Sequence, residues 1–224
     1  LVSVPESVSH PARCQEINVE GTRRVLAAAA QAGARRLVLA SSCAVYGDEP
    51  TMPKKETSPV APASPYAESK LAGEKICAEA SLPAVALRFF NVYGPRQDPR
   101  GPYAAAVPKF LEAARAGSPI TIFGDGHQTR DFVYVDDVTA ALEHAALSPS
   151  LSGIYNVASG HSVSVLHLAE LVLGLTGLRS VIRHAPARPG DILHSSASIE
   201  KLRATGWKPS FDLAAGLQNI LSAT

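Results

Sequence analysis

Residues 35–42, RRLVLASS, decide the fold. Two cations precede four consecutive apolar residues, Leu37 to Ala40, and the run ends on two small hydroxyls, Ser41 and Ser42. An unbroken apolar run of this length reads as a strand covered on both faces, as in a parallel sheet, with its carboxyl end opening into a site. Upstream, RCQEINVEGTRRVLAAAAQA (13–32) places apolar and alanine positions at helical spacing and meets a stop at Gly33. Downstream, Pro50, Pro53, Pro59, Pro62 and Pro65 forbid regular structure across 47–65. YAESKLAGEKICAEA (66–80) then reads as a helix opened by Pro65, with Glu68 in its first turn, and AVALRFF (84–90) as the next buried strand. Helix, strand, helix, strand at this spacing predicts an α/β protein, a doubly wound parallel sheet with right-handed crossovers.

From Asn91 the rhythm changes. NVYGPRQDPRGPY is rich in turns, 104–116 predicts a helix, SPITIFGDG a strand with a turn, and RDFVYV another strand. Asp136 is expected to cap the helix DDVTAALEHAAL. GIYNVAS (153–159), SVLHLAELVLGLTG and RSVIRHA follow as strand, helix and short strand, and two helices flank Trp207. With no repeat and no long hydrophilic linker, a second, smaller lobe is expected to interleave with the first.

The 224 residues carry 21 Lys and Arg against 20 Asp and Glu, a net charge of +1. That excludes the global positive field with which a protein holds nucleic acid or an anionic membrane surface, so an anionic partner must be gripped locally. No stretch approaches the roughly 18 apolar residues of a membrane helix. Cys14, Cys43 and Cys77 are odd in number and too far apart for a CxxC pair, which fits a reducing cytoplasm. No basic and apolar leader opens the chain. His161 and His167 lie six apart without a ligating carboxylate and no HExxH occurs, so no metal is inferred. GDGHQT (124–129) begins like a phosphate-binding glycine loop but lacks the third glycine and the following helix, and reads as a turn.

Tyr66 and Lys70 stand four apart, so a helix puts phenol and ammonium on one face. A phenol serves as a base near neutral pH only when a cation stabilises its phenolate. Chance gives this spacing roughly 0.2 times in such a chain, so its place carries the weight. It opens the helix that follows the strand ending in Ser41 and Ser42, where sheet topology puts a ligand crevice. A serine hydroxyl there can polarise a substrate hydroxyl that Tyr66 deprotonates, the plainer alternative being a turn cap.

INVEGT (17–22), SSCAVYG (41–47), SPYAESK (64–70), LRFFNVYGPRQ (87–97), FGDGHQTRDFVYVDD (123–137), YNVASG (155–160) and RPGD (188–191) together resemble the extended short-chain dehydrogenase/reductases, specifically their nucleotide-sugar epimerases and dehydratases. The resemblance implies a Rossmann-type sheet, with 1–90 and 131–158 as the remainder of a dinucleotide-binding domain and 91–130 and 159–224 as a sugar-nucleotide lobe. It implies NAD as cofactor, a nucleoside-diphosphate sugar such as a UDP-sugar as partner, and a possible homodimer. Tyr66 would be the base, Lys70 its partner and a ligand of the nicotinamide ribose, and Ser42 the helper on the sugar hydroxyl. Asn18, Ser41 and Phe89 would line the cofactor site. Asn91, Lys109, Thr121, Phe123, Arg130, Arg188 and Asp191 would hold the nucleoside diphosphate, the two arginines meeting its phosphates bidentately. Taken singly, each arginine reads as a solvated surface charge.

Within the resembled family the residues after the active-site hydroxyl divide the chemistry. Dehydratases carry a carboxylic acid there; Cys43 and Ala44 cannot eliminate water as one would. That favours C4 epimerisation of UDP-glucose or UDP-N-acetylglucosamine, with a dehydratase, a reductase or an idle sugar-nucleotide binder as alternatives. Ser195 matches the position that limits the sugar pocket, and its small size leaves room for an N-acetyl group. The family's first strand and GxxGxxG turn precede INVEGT by about 80 to 90 residues, and the first glycine here is Gly21. The resemblance thus implies two thirds of such an enzyme, with weak NAD binding by this piece alone.

Overall fold

The computed structural model describes residues 1–100, 105–178, 180–188 and 192–223. In chain order it contains α1 (Val4–Ser9), α2 (Pro11–Gln15), a π-helical turn (Glu16–Glu20), α3 (Gly21–Gln31), β1 (Leu37–Ser42), α4 (Pro65–Ala78), β2 (Ala84–Phe89) and β3 (Asn91–Tyr93). Then come α5 (Ala106–Arg115), β4 (Ile120–Phe123), β5 (Thr129–Tyr134), α6 (Val135–Leu147), β6 (Gly153–Val157), β7 (Ser162–Ser164), α7 (Val165–Thr176), β8 (Ile182–Ala185), α8 (Glu200–Arg203) and α9 (Leu213–Ser222). The helix expected over 13–32 is thus broken by one turn of wider hydrogen bonding.

The chain divides into two compact units. The first comprises Leu1–Phe90, Val138–Val157 and Ser198–Lys208. Its sheet, β1-β2-β6, is all parallel, as the apolar runs predict, with Ser42 opposite Phe89. Val85, Leu87 and Val157 are fully buried in it. Arg36 reaches the carbonyls of Ala145, Ser148, Pro149 and Leu151, so one guanidinium serves the last turn of α6 and the loop that follows it.

The second unit comprises Asn91–Asp137, Ala158–Ala197 and Pro209–Thr224. It holds β3 parallel to β5, β7 antiparallel to β5, and the parallel pair β4-β8. Tyr93, Phe110, Ile120, Ile122, Leu168 and Leu217 lie in its core. Gly216 is required there, since a side chain would collide with the Tyr93 hydroxyl, 2.0 Å from where its Cβ would sit.

The compact units divide the chain differently from the expected lobes at three places, one of them Ala158, which falls in the second unit. Residues 131–137 fall in the second unit because β5 pairs with β3 and β7, and 198–208 fall in the first, where α8 packs on β6. Asp136 and Asp137 sit inside the first turn of α6 and do not precede it. Asp137 is buried and accepts the backbone N–H groups of Ser210 (2.7 Å) and Phe211 (3.2 Å), so it fastens a loop instead of capping its helix.

Candidate active site

In the first unit, α4 is set by Ser64, whose side chain accepts the Ala67 N–H, and by Pro65 in its first turn. This start places Tyr66 at the carboxyl end of β1. Gly73 lets the helix approach the strand, since a Cβ there would stand 3.2 Å from Leu39 Cδ2. Ser42 closes β1 in extended conformation; its Oγ accepts the Ala44 N–H at 3.2 Å, and its side chain stands near enough to the Tyr66 phenol to favour the phenolate. Gly47 completes the turn with φ 56°, where any side chain would strike the Ala61 carbonyl.

Lys70 donates to the Ala40 carbonyl at 3.0 Å, and its Nζ lies 5.6 Å from the centre of the Tyr66 ring. Burial pushes the phenol above its ordinary value, and the Ser42 side chain draws it partly back. Burial pulls the ammonium down. Both shifts favour the uncharged forms, so burial alone works against a phenolate–ammonium pair.

Asn18 lies in the π-helical turn and donates to Ser69 Oγ at 2.9 Å. With Thr22, Leu37, Leu39, Lys70 and Gly73 it lines a groove of about 310 Å³ whose only charged side chain is Lys70. Phe89 ends β2 beside Ser42. Ser41 is buried, and its hydroxyl donates to Glu74 Oε1 at 2.5 Å.

The second unit gathers six expected residues around one cavity of about 540 Å³: Asn91, Lys109, Thr121, Phe123, Arg130 and Arg188. Arg188 lies flat on Phe123, its guanidinium carbon 3.8 Å from the ring centre. Asn91 Nδ2 donates to the Asp131 carbonyl at 3.1 Å, and Arg130 Nη1 to the Thr129 carbonyl at 2.9 Å. The neighbouring Asp131 is buried and accepts from the Ser159 N–H and hydroxyl and from the Gly160 and Ala197 N–H groups, which immobilises β5 beside Arg130. Ser195 donates its N–H to the Thr129 carbonyl at 3.1 Å and lies next to β5, outside that lining. Asp191 lies outside the described residues. Gln128, which sequence reasoning passed over within GDGHQTR, also lines the cavity and donates to the Phe123 carbonyl at 2.8 Å.

The sequence profile of the NAD dependent epimerase/dehydratase family matches residues 1–158. The chain belongs to this family. It is 40% identical over 222 residues to a UDP-glucose 4-epimerase of Mycolicibacterium smegmatis, an alignment covering 96% of this chain and 71% of that one. Among solved structures it resembles a UDP-N-acetylglucosamine 4-epimerase from Methanobrevibacter ruminantium in complex with UDP-N-acetylmuramic acid, with TM-score 0.93 and 37% identity over 100% of this chain and 75% of that one. A Thermus thermophilus UDP-glucose 4-epimerase complexed with NAD gives TM-score 0.88 and 38% identity over 100% and 76%. The family fold is the Rossmann-like α/β arrangement expected from the sequence.

NAD is the family's cofactor, and the donor set of the first unit fits its nicotinamide-ribose end. Lys70 brings an ammonium, a donor suited to ribose hydroxyls, to a groove along the apolar strand edge of Leu37 to Leu39. Among the described residues no helix is long and apolar enough to cross a membrane, and no group of three or more metal-ligating side chains comes together.

Proposed function

We propose that this protein inverts C4 of a UDP-hexose and also accepts UDP-N-acetylhexosamines. The observation that carries the reading is the Tyr66, Ser42 and Lys70 set, followed by Cys43 and Ala44 where elimination of water would need a carboxylic acid. Similarity to enzymes named as 4-epimerases supports it. Tyr66, as the phenolate that Lys70 stabilises, takes the proton of the C4 hydroxyl and becomes the phenol, while Ser42 polarises that hydroxyl. NAD, when bound, supplies reversible hydride transfer at C4. Arg130, Arg188 and Asn91 keep hold of the diphosphate while the 4-keto sugar turns its other face, and Tyr66 returns the proton.

The test is interconversion of UDP-glucose and UDP-galactose by purified protein supplied with NAD⁺, read by chromatography. Tyr66→Phe is expected to lower turnover by about 10³-fold with UDP affinity unchanged, since only proton transfer is removed. A variant as fast as the parent would remove Tyr66 from its role.

A further inference from the structure

One layer behind Ser42 and Phe89, the next register row of the first unit's sheet is polar throughout. Ser41 lies opposite Arg88 and Arg88 opposite Asn156, and all three are buried, at 3%, 2% and 0% exposure. Glu74, two turns after Tyr66 and one after Lys70 on α4, is the acceptor at its centre. Arg88 grips it with both arms, Nε to Oε1 at 2.9 Å and Nη2 to Oε2 at 2.7 Å, and Ser41 donates to Oε1. Arg88 Nη1 has no hydrogen-bond partner; the guanidinium lies instead over the Tyr46 ring, 4.7 Å from its centre. Tyr46 donates to Asn156 Oδ1 at 2.7 Å, and Asn156 Nδ2 donates to the carbonyls of Lys54 and Ser198.

Such a chain is a poor choice for stability alone, because a buried ion pair roughly breaks even against apolar residues of the same volume. What it adds is direction. The two-armed grip of Arg88 fixes the plane of the Glu74 carboxylate, leaving one lone pair aimed at Ser41. Two consecutive residues of β1 are then tied to α4, Ala40 by Lys70 and Ser41 by Glu74, and Ser42 follows them directly. We propose that Ser41, Glu74 and Arg88 are positioning residues, which hold the carboxyl end of β1 against α4 so that the Ser42 hydroxyl stays near the Tyr66 phenol. This rests on the proposed role of Tyr66. It gives Ser41 a task different from lining a cofactor.

The experiment uses Ser41→Ala and Ser41→Cys, which keep the Glu74–Arg88 pair; cysteine also keeps the volume while donating weakly. Tyrosine is labelled with ¹³C at the phenolic carbon, Tyr66 is assigned with Tyr66→Phe, and its titration is followed by NMR alongside steady-state kinetics. Both variants are expected to move the Tyr66 titration upward by about 0.5 to 1 pH unit, the loss of roughly one hydrogen bond's influence. They are also expected to lower kcat about fivefold or more with KM unchanged, whereas a packing role would leave Ser41→Cys like the parent. An unmoved titration in either variant overturns the proposal. If the parent shows no epimerase turnover yet the titration moves, the positioning stands and the assigned reaction falls.

Discussion

The two units handle charge in opposite ways. In the first, the ionic pair behind the proposed catalytic set is sealed, with the Arg88 and Glu74 side chains 3% and 2% exposed and each held at fixed distances. In the second, Arg188 is exposed at the cavity and held by a ring face, while Lys109 and Arg130 are half-buried. Proton transfer needs its geometry set before substrate arrives, since reorganisation during the reaction costs rate. A diphosphate carries enough charge to draw a guanidinium into place as it binds, so its clamp can stay hydrated until then.

The largest test of this contrast removes one cation from each unit. Arg88→Met leaves Glu74 charged and unpaired in the interior, a loss of about 3 to 5 kcal/mol. The thermal midpoint, read by circular dichroism, is expected to fall by about 10 °C or more. Arg188→Ala is expected to leave the midpoint within about 2 °C, because an exposed stack contributes at most about 1 kcal/mol. UDP affinity by calorimetry should nonetheless weaken about 10- to 50-fold, the cost of a charge-assisted pair with phosphate. Two variants with equal midpoints would erase the distinction.

A smaller effect sharpens the first half of the comparison. Burial raises the Tyr66 phenol, so in NAD-free protein it should stay protonated past the ordinary tyrosine value of about 10. Ser42→Ala removes the hydroxyl that draws it down, and the titration should rise further. Because the reactive form is the phenolate, kcat/KM is expected to increase as pH rises from neutral, and to do so at higher pH in Ser42→Ala. A Tyr66 titration below 10 in the NAD-free protein would contradict this account.

How far the sequence could be read follows from the distance over which each signal acts. β1, β2 and β6 are apolar runs whose burial is written in their own residues, and α4 carries its cap and its Tyr66–Lys70 face within one helix. The π-helical turn at Glu16–Glu20 leaves no mark, because its side chains suit an α-helix equally well. RDFVYV reads correctly as a strand, but which sheet receives it depends on β3, some forty residues away. Similarly, Arg130 was legible from its neighbours, whereas the stack of Arg188 on Phe123 joins residues 65 apart. Glu74 was missed because a lone glutamate on a helix reads as its wet face. Only Arg88, on a different strand, makes its burial tolerable.

The smallest expected effect concerns the sugar. Ser195 is half-buried, its backbone is fastened to Thr129, and the adjacent His194 bridges the same residue, so a side chain grown there is held close to β5 by two contacts. Arg130, one step along β5, faces the cavity. Ser195→Tyr would add a ring beside that strand with little freedom to swing away, since the main chain is fixed on both sides. If this ring stands where a C2 substituent must pass, UDP-N-acetylglucosamine turnover should fall about tenfold relative to UDP-glucose, a pocket effect of roughly 1 to 3 kcal/mol. The ratio of the two kcat/KM values is the quantity to measure, because a general disturbance of β5 would lower both alike. Equal losses would place the sugar's N-acetyl group elsewhere and leave Ser195 a backbone tether only.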